Sequence, residues 1–247
     1  VEQGGVGALL LAGNPDSRNI YTYTGTNTNL THSSNAFSKS NGAITTTTLG
    51  VSTTTDKDEV IDFVRGWDAW DWDTDCVFSS EKRDWILGAF IHSRPVVIHY
   101  ESYDVIYAGG NDGMLHAFKD SNGSTGDDGT ELWGFIPPDL LGNLKNFNSS
   151  LASLQIFVDG SPKAYVTYVY NTDGSIQSVS QAILIFGERR GGNRYYALDI
   201  RDPSTPTLLW SISPSTTGYG ELGQTGSTPK LGKIKNGTGT KVVAFIG

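Results

Sequence analysis

The sequence is poor in cysteine, in long apolar runs and in positive charge, and each shortage excludes a class of protein. Cys76 is the single cysteine among 247 residues, so no disulfide can form within this chain. No run of about 18 apolar residues occurs, so no membrane-spanning helix is predicted. The 18 basic residues are outnumbered by 26 acidic ones, which leaves no basic stripe of the kind that nucleic-acid binding needs.

Glycine and aromatic residues are plentiful, and they favour strands and turns over helices. The chain has 30 glycines, 11% aromatic residues and one methionine, a composition typical of an all-β protein. The clearest local signal is Asn111-Asp112-Gly113, where the apolar runs 105–109 and 114–118 meet. This pattern predicts a β-hairpin, and we expect its turn, like the glycine-rich turn at 191–193, to lie exposed at the surface.

A pattern of strands recurs three times. Pro95, Pro162 and Pro229 each follow a serine within two residues, and they are spaced 67 residues apart both times. An apolar strand ending in glycine follows each proline, and two units continue with a third strand and with a fourth containing Trp133 or Trp210. Four sequential strands per unit predict β-propeller blades, two full ones and the start of a third over residues 91–247. An irregular β-sandwich is the alternative.

Residues 1–90 are predicted to form a segment leading into the propeller. We expect it to contain strands, a mobile Thr/Ser/Asn-rich surface loop over 22–55, a short helix capped by Asp56 and an acidic, tryptophan-rich loop. A second helical insertion is expected from Pro138, with Leu140, Leu141, Leu144 and Phe147 on one face. Because two and a half blades cannot close a propeller, we expect the natural protein to continue beyond Gly247.

Seven sequence segments, five in the blade region and two upstream of it, are similar to the motifs of one protein family. They are residues 87–97, 110–118, 131–137, 157–162 and 191–203, together with 18–23 and 61–66. In this order they resemble the PilC/PilY family of type IV pilus tip-associated adhesins. Ala89 departs from the family pattern, which usually has Asp there. The resemblance implies a seven-bladed, quinoprotein-like propeller, of which this chain would hold the first part.

The resemblance also implies a function. It points to a non-enzymatic, extracellular protein at the pilus tip that supports pilus assembly, control of extension and retraction, and adhesion. The implied partners are pilus subunits, that is minor pilins and the filament tip, and a host or surface receptor bound through regions outside this chain. A generic extracellular interaction propeller is one alternative.

A pyrroloquinoline-quinone-dependent dehydrogenase is the other alternative, because 195–199 with Leu209-Trp210 also fits the repeats of that class. The lone Cys76 removes the adjacent-cysteine disulfide of those enzymes, and no nucleophile elbow, phosphate loop, zinc spacing or haem motif occurs. His92, His99 and His116 fall in or beside strands, where we expect hydrogen-bonded structural histidines. No catalytic or organic-cofactor residue is therefore predicted.

The acidic run at 68–75 is the candidate metal site. Asp71, Asp73 and Asp75 would supply alternate carboxylates, Val77 a carbonyl and Glu81 a bidentate ligand, which is the oxygen chemistry that calcium prefers. The spacing is imperfect, since Cys76 replaces the usual glycine and Glu81 falls one position early. The alternative is a solvated acidic loop anchored to the propeller wall by tryptophans (Trp67, Trp70, Trp72 and Trp85).

A second acidic stretch, 120–131, has polar or acidic side chains at its first, third, fifth, ninth and twelfth positions. It lacks the central glycine, and Glu131 belongs to the strand that contains Trp133. We therefore favour an ordinary hairpin loop here. A familiar calcium site of the resembled family would lie after Gly247, so it does not transfer to either stretch.

Overall fold

The structure is a computed structural model that describes residues 5–78, 80–121, 129–148 and 155–247. Over these ranges the chain forms two sheets, antiparallel apart from one parallel edge strand, together with a β-hairpin and an N-terminal region of short helices and loops. Among these residues no helix combines the length and the apolar character needed to span a membrane.

The first sheet contains the four strands predicted for the first unit, in sequential antiparallel order. The strands of this sheet are β1 (Ile20–Thr22), β2 (Val96–His99), β3 (Asp104–Gly109), β4 (Leu115–Asp120) and β5 (Glu131–Ile136). The spatial order is β1-β5-β4-β3-β2, so β1 adds to the outer edge, and it runs parallel to β5. The predicted hairpin joins β3 to β4, with Gly113 at φ 101.

The second sheet repeats this layout without an added strand. It consists of β6 (Lys163–Tyr170), β7 (Ile176–Gly187), β8 (Tyr195–Asp199) and β9 (Thr207–Ile212). A hairpin of β10 (Lys230–Asn236) and β11 (Gly239–Phe245) follows. β6 contacts both β2 and β10, so the first strands of successive units are neighbours. The all-β layout with four-strand units is as predicted, and the total of seven blades stays a prediction.

The helices are short. They are α1 (Gly5–Ala12), α2 (Thr46–Leu49) and α3 (Thr54–Arg65), with 3₁₀ turns at Pro15–Ser17, Ser33–Asn35 and Pro138–Asn148. The expected cap at Asp56 is wrong: α3 begins earlier because Thr53 caps it, and Asp56 completes a capping box by accepting from Thr53 N at 3.1 Å. The insertion at Pro138 is 3₁₀ in character, and it buries Leu140, Leu141 and Leu144 as its pattern indicated.

The prediction of a surface loop over 22–55 is also wrong. Leu30, Phe37, Ile44 and Leu49 are almost fully buried and belong to the same hydrophobic core as Val105 of the first sheet and Leu184 of the second. Asn35 is buried within this segment, and its side chain bonds to three partly buried backbone groups, so its own polar atoms have partners inside the fold.

Residues 19–37, hereafter the N-terminal strap, cross the outer edges of both sheets. At the first sheet β1 lies beside β5, with Ile20 aligned to Gly134. At the second, Leu30 N donates to Pro206 O and Leu208 N donates to Thr28 O, at 3.0 and 2.8 Å. The strap therefore gives hydrogen-bond partners to two edges that would otherwise present unpaired backbone groups.

Candidate functional site

The acidic loop predicted as a metal site follows α3 directly. Gly66 ends the helix, and Asp68 N then donates to Glu81 O at 2.9 Å, which closes the loop at its base. Trp70 stacks on Phe63 of α3 with ring centroids 4.2 Å apart. The loop is thus held against α3 by Trp70. The alternative in which the tryptophans anchor it to the propeller wall does not describe this contact.

The backbone of this loop curls sharply. Asp71, Thr74 and Cys76 all have positive φ, at 52°, 63° and 71°, although none is glycine. Carboxylates stabilise the curl: Asp71 Oδ1 accepts from Cys76 N at 3.0 Å, and Asp75 Oδ1 accepts from Val77 N at 2.8 Å. The side chains of the curled segment consequently converge.

All four predicted metal ligands are found close together, in two overlapping groups. One carboxylate oxygen from each of Asp71, Asp73 and Asp75 lies within 4.8 Å of the others, and the same holds for Asp68, Asp73 and Glu81. Asp73 belongs to both groups. Asp68 was not predicted as a ligand, because this residue lies outside the alternating Asp71-Asp73-Asp75 pattern. Asp68 is only 2% exposed, and it is fixed at the loop base, where its N–H donates to Glu81 O and its Oδ2 accepts from Trp72 N.

The electrostatics of the loop favour a cation. Asp68 Oδ1 and Glu81 Oε1 are buried and have no hydrogen-bond donor. Partial desolvation, together with the neighbouring charges of Asp75 and Asp73, raises the pKa of Glu81. The Arg83 guanidinium is close by, but it lies over the Phe63 ring at 4.0 Å and donates to Ile86 O, not to Asp68. Hard oxygens left without donors are the ligands that calcium selects.

The second acidic stretch does not provide a comparable site among the described residues. Its residues 122–128 lie outside them. Glu131, which would be the twelfth-position ligand, is already engaged: Arg18 donates to both of its carboxylate oxygens at 2.8 and 2.9 Å, and His116 Nδ1 lies 2.8 Å from Oε1. The interpretation of Glu131 as a strand residue is confirmed.

His116 is the centre of a buried ionic cluster with Arg18, Glu131 and Asp112. Its side chain is fully buried, and Nε2 lies 3.0 Å from Asp112 Oδ1. Burial opposes its charge, but the two carboxylates outweigh burial and raise the pKa of His116 to about 9. In turn, Arg18 and His116 overcome the effect of burial and hold the pKa of Glu131 far below its usual value. His116 is therefore a structural, charged histidine with both nitrogens occupied.

The turn at Asn111-Asp112-Gly113 is not the exposed tip that we expected. Asn111 and Asp112 are only 9% and 7% exposed. Asp112 Oδ2 accepts from Gly88 N at 2.9 Å, and a Cβ at Gly88 would lie 2.3 Å from Asp112 N, so glycine is required for this close approach. The other turn, at 191–193, is partly exposed: its two glycines are half-buried and Asn193 is exposed.

The remaining strand-associated histidines also pair with carboxylates. His92 Nδ1 lies 2.9 Å from Asp159, which Arg189 contacts from the other side at 3.2 Å. His99 Nδ1 lies 2.9 Å from Asp104. The hydrogen bonds of His92 and His116 confirm the interpretation of these two residues, whereas His99 is an exposed side chain in contact with Asp104 and does not confirm it.

Comparison with known proteins identifies the family. The model of the PilY1 β-propeller domain matches residues 98–246, which contain most of the two sheets and the hairpin. The chain belongs to the PilY1 family. A type IV pilus biogenesis factor PilY1 homologue of Xylella fastidiosa (strain Temecula1) is 36% identical over 134 residues, which cover 54% of this chain and 10% of that protein.

Two Pseudomonas aeruginosa proteins extend the comparison. The type IV pilus biogenesis factor PilY1 of strain UCBPP-PA14 is 27% identical over 94% of this chain and 21% of its own length. The crystal structure of the PilY1 C-terminal domain of Pseudomonas aeruginosa aligns at 31% identity with a TM-score of 0.37, covering 57% of this chain and 24% of that one. The chain therefore spans about a tenth to a fifth of these curated relatives.

Proposed function

We propose that this chain is the propeller platform of a type IV pilus biogenesis factor, acting without catalysis at the cell surface. The observation that carries the proposal is the PilY1 propeller match over 98–246, on sheets whose outer edges the strap pairs. Both ring nitrogens of buried His116 are held by carboxylates, which favours a structural role over proton transfer to a substrate. A platform of this kind acts by presenting loops in fixed positions.

In this proposal the platform sits at the pilus tip, where it contacts minor pilins and the end of the filament. It supports assembly and the balance of extension against retraction, while regions outside this chain bind the host or surface receptor. Support comes from the names of the curated relatives, all type IV pilus biogenesis factors.

Immunogold labelling tests this location. An antibody raised against this chain is applied to intact cells and to sheared pili, with cells deleted for the gene as the control. We expect gold at filament ends. Gold confined to a soluble periplasmic pool, with unlabelled filaments, would contradict the proposal. The alternative, a quinone-dependent dehydrogenase, would then be tested by an activity assay.

We further propose that calcium binds the acidic loop through Asp68, Asp71, Asp73, Asp75 and Glu81 and regulates the platform. Two features support it: the buried, donor-free oxygens of Asp68 and Glu81, and the position of Asp73 in both carboxylate groups. A bound cation would supply the positive charge that these oxygens lack. It would also fix the curled backbone relative to α3, on which Trp70 and Trp72 rest.

Thermal unfolding with calcium and with chelator tests the site. At a calcium concentration about 100 times Kd, binding adds about 2.7 kcal/mol, which is a rise in Tm of roughly 5–10 °C for a chain of this size. Asp73→Asn should abolish the rise, whereas Asp84→Asn, an exposed carboxylate outside both groups, should keep it. An unchanged Tm in the unsubstituted chain, or a full rise in Asp73→Asn, would disprove the site.

A further inference from the structure

The segments that precede the first strand of each unit (β2, β6 and β10) lie around one cleft with a volume of about 560 Å³. Its twelve lining residues are 91–94 ahead of β2, 160, 161 and 163 around the start of β6, 226–228 and 230 around the start of β10, and Arg189. We propose that this cleft binds a polyvalent oxyanion, a small molecule that carries several carboxylate or phosphate groups. The inference is independent of the pilus function and of the calcium loop.

The charge of the cleft carries the argument. Four of its twelve lining residues are Arg or Lys and none is Asp or Glu, in a chain where 26 acidic residues outnumber 18 basic ones. Arg94, Lys163 and Lys230 make no ion pair among the described residues, while Arg189 is bound to Asp159. Three unpaired cations facing one space raise the local concentration of anions and favour an anionic occupant.

The repeat explains why the cations meet. Lys163 and Lys230 each follow the repeated proline directly, and they are 67 residues apart, like Pro162 and Pro229. Equivalent residues of successive units point to the same end of the sheets because β2, β6 and β10 are neighbours. Arg94 precedes Pro95 and gives the first unit its own cation at this end. Each of the three units thus contributes one unpaired positive side chain.

The frame around the cations is rigid. Ser161 Oγ accepts from Arg94 N at 3.0 Å and donates to His92 O at 3.2 Å, which ties the first entry segment to the second. A Cβ at Gly160 would lie 2.1 Å from Gly187 O, so the backbones are in close contact there. A site whose backbone is already ordered loses little entropy when an anion binds.

The size and chemistry of the cleft define the ligand class. Its volume lies within the range of about 300–1,000 Å³ for small-molecule sites and exceeds what a single phosphate fills. Lys and Arg bind both carboxylate and phosphate through charge-assisted hydrogen bonds. Three cations from separate segments require an anion with two or more charged groups to satisfy them together.

Isothermal titration calorimetry tests the proposal with two probes, sodium tripolyphosphate and citrate, in buffers matched in ionic strength with NaCl. We expect saturable binding of at least one probe by the chain. The double variant Lys163→Gln/Lys230→Gln should bind at least about tenfold more weakly, because it removes two of the three unpaired cations.

The control is Lys235→Gln/Lys241→Gln, which removes the same charge from exposed positions of β10 and β11 outside the cleft and should bind like the unsubstituted chain. Far-UV circular dichroism confirms that each variant is folded. Binding of tripolyphosphate alone identifies phosphate as the anion class, and binding of citrate alone identifies carboxylate. Absence of saturable binding, or equal losses in the two double variants, would overturn the proposal.

Discussion

At the residue scale, the stability of the first sheet depends on a buried cluster in which two positive and two negative side chains alternate. Arg18 donates to Glu131, Glu131 faces His116, and His116 faces Asp112. Removing one member of such a cluster costs more than the cluster contributes as a whole, because the remaining charges stay buried without a partner. Titration of His116 is therefore expected to be visible in the unfolding of the chain.

His116 predicts a loss of stability at alkaline pH. Its folded pKa of about 9 exceeds the value of 6.5 in the unfolded chain, so its contribution is complete below pH 6.5 and disappears as the pH rises through 9. That contribution is on the order of 3 kcal/mol. His116→Gln should be less stable than the unsubstituted chain at pH 6, and the gap should narrow towards pH 9.5.

Urea unfolding at a series of pH values measures this gap. Burial and the charge of Asp139 raise the pKa of Glu188 to about 9 as well. Because Glu188 is present in both proteins, its effect cancels, and the difference in unfolding free energy between them reports the titration of His116. A gap that stays constant between pH 6 and 9.5 would show that His116 is neutral in the fold.

The sequence predicted part of this cluster. The position of His116 in an apolar strand indicated a hydrogen-bonded histidine, and that is confirmed. Its charge could not be predicted from the nearby Asp112 alone, because the second carboxylate, Glu131, lies on the next strand and its partner Arg18 is 113 positions away. The same limit applies to Asp68, whose burial depends on packing that the local pattern does not encode.

At the scale of elements, the N-terminal strap pairs with both sheets through its backbone, and the buried amide of Asn35 ties its own turns together. Asn35 accepts from Thr24 N at 3.2 Å and donates to Asn27 O and Asn29 O at 2.7 and 2.8 Å. A stretch rich in Thr, Ser and Asn resembles a surface loop in composition, and this similarity produced the wrong prediction. Composition does not show that one amide can pair several backbone groups, which helps a polar segment to bury Leu30 and Phe37.

Asn35→Ala should destabilise the chain by about 1–2 kcal/mol, since it leaves two partly buried backbone carbonyls and an N–H without their protein partner. Asn193→Ala makes the same change at an exposed position whose side chain has no hydrogen bond within the described part of the chain, and it should alter stability by less than about 0.5 kcal/mol. Urea unfolding at neutral pH compares the two. Equal effects would show that the strap does not depend on Asn35.

At the scale of the whole molecule, the two sheets are joined through the loop that follows β8. Trp133 Nε1 of the first sheet donates to Pro203 O at 2.7 Å, and Tyr100 Oη donates to Ile200 O at 2.6 Å. The repeat predicted a tryptophan in the fourth strand of each unit. It could not predict that Trp133 is 1% exposed while its counterpart Trp210 is 36% exposed, because that difference depends on which segment packs beside each strand.

Trp133→Phe keeps an aromatic ring but removes the donor to Pro203 O, and we expect it to cost about 1–3 kcal/mol. Hydrogen exchange should show the larger loss of protection at β8 and β9, on the far side of the deleted bond. Trp210→Phe is the matched control, because its Nε1 has no acceptor among the described residues, and it should have little effect. Equal losses in both variants would contradict a specific link at Trp133.

The parallel pairing of β1 with β5 has a consequence for the order in which the chain can fold. Synthesis from the N-terminus delivers Ile20 long before Gly134, its partner in the sheet. Until β5 emerges, β1 has no strand to pair with. The hairpins of the first unit therefore form before β1 is paired at their outer edge. Contacts between such distant segments are slow to form, so this last closure sets the time during which the nascent blade can pair with the wrong strand.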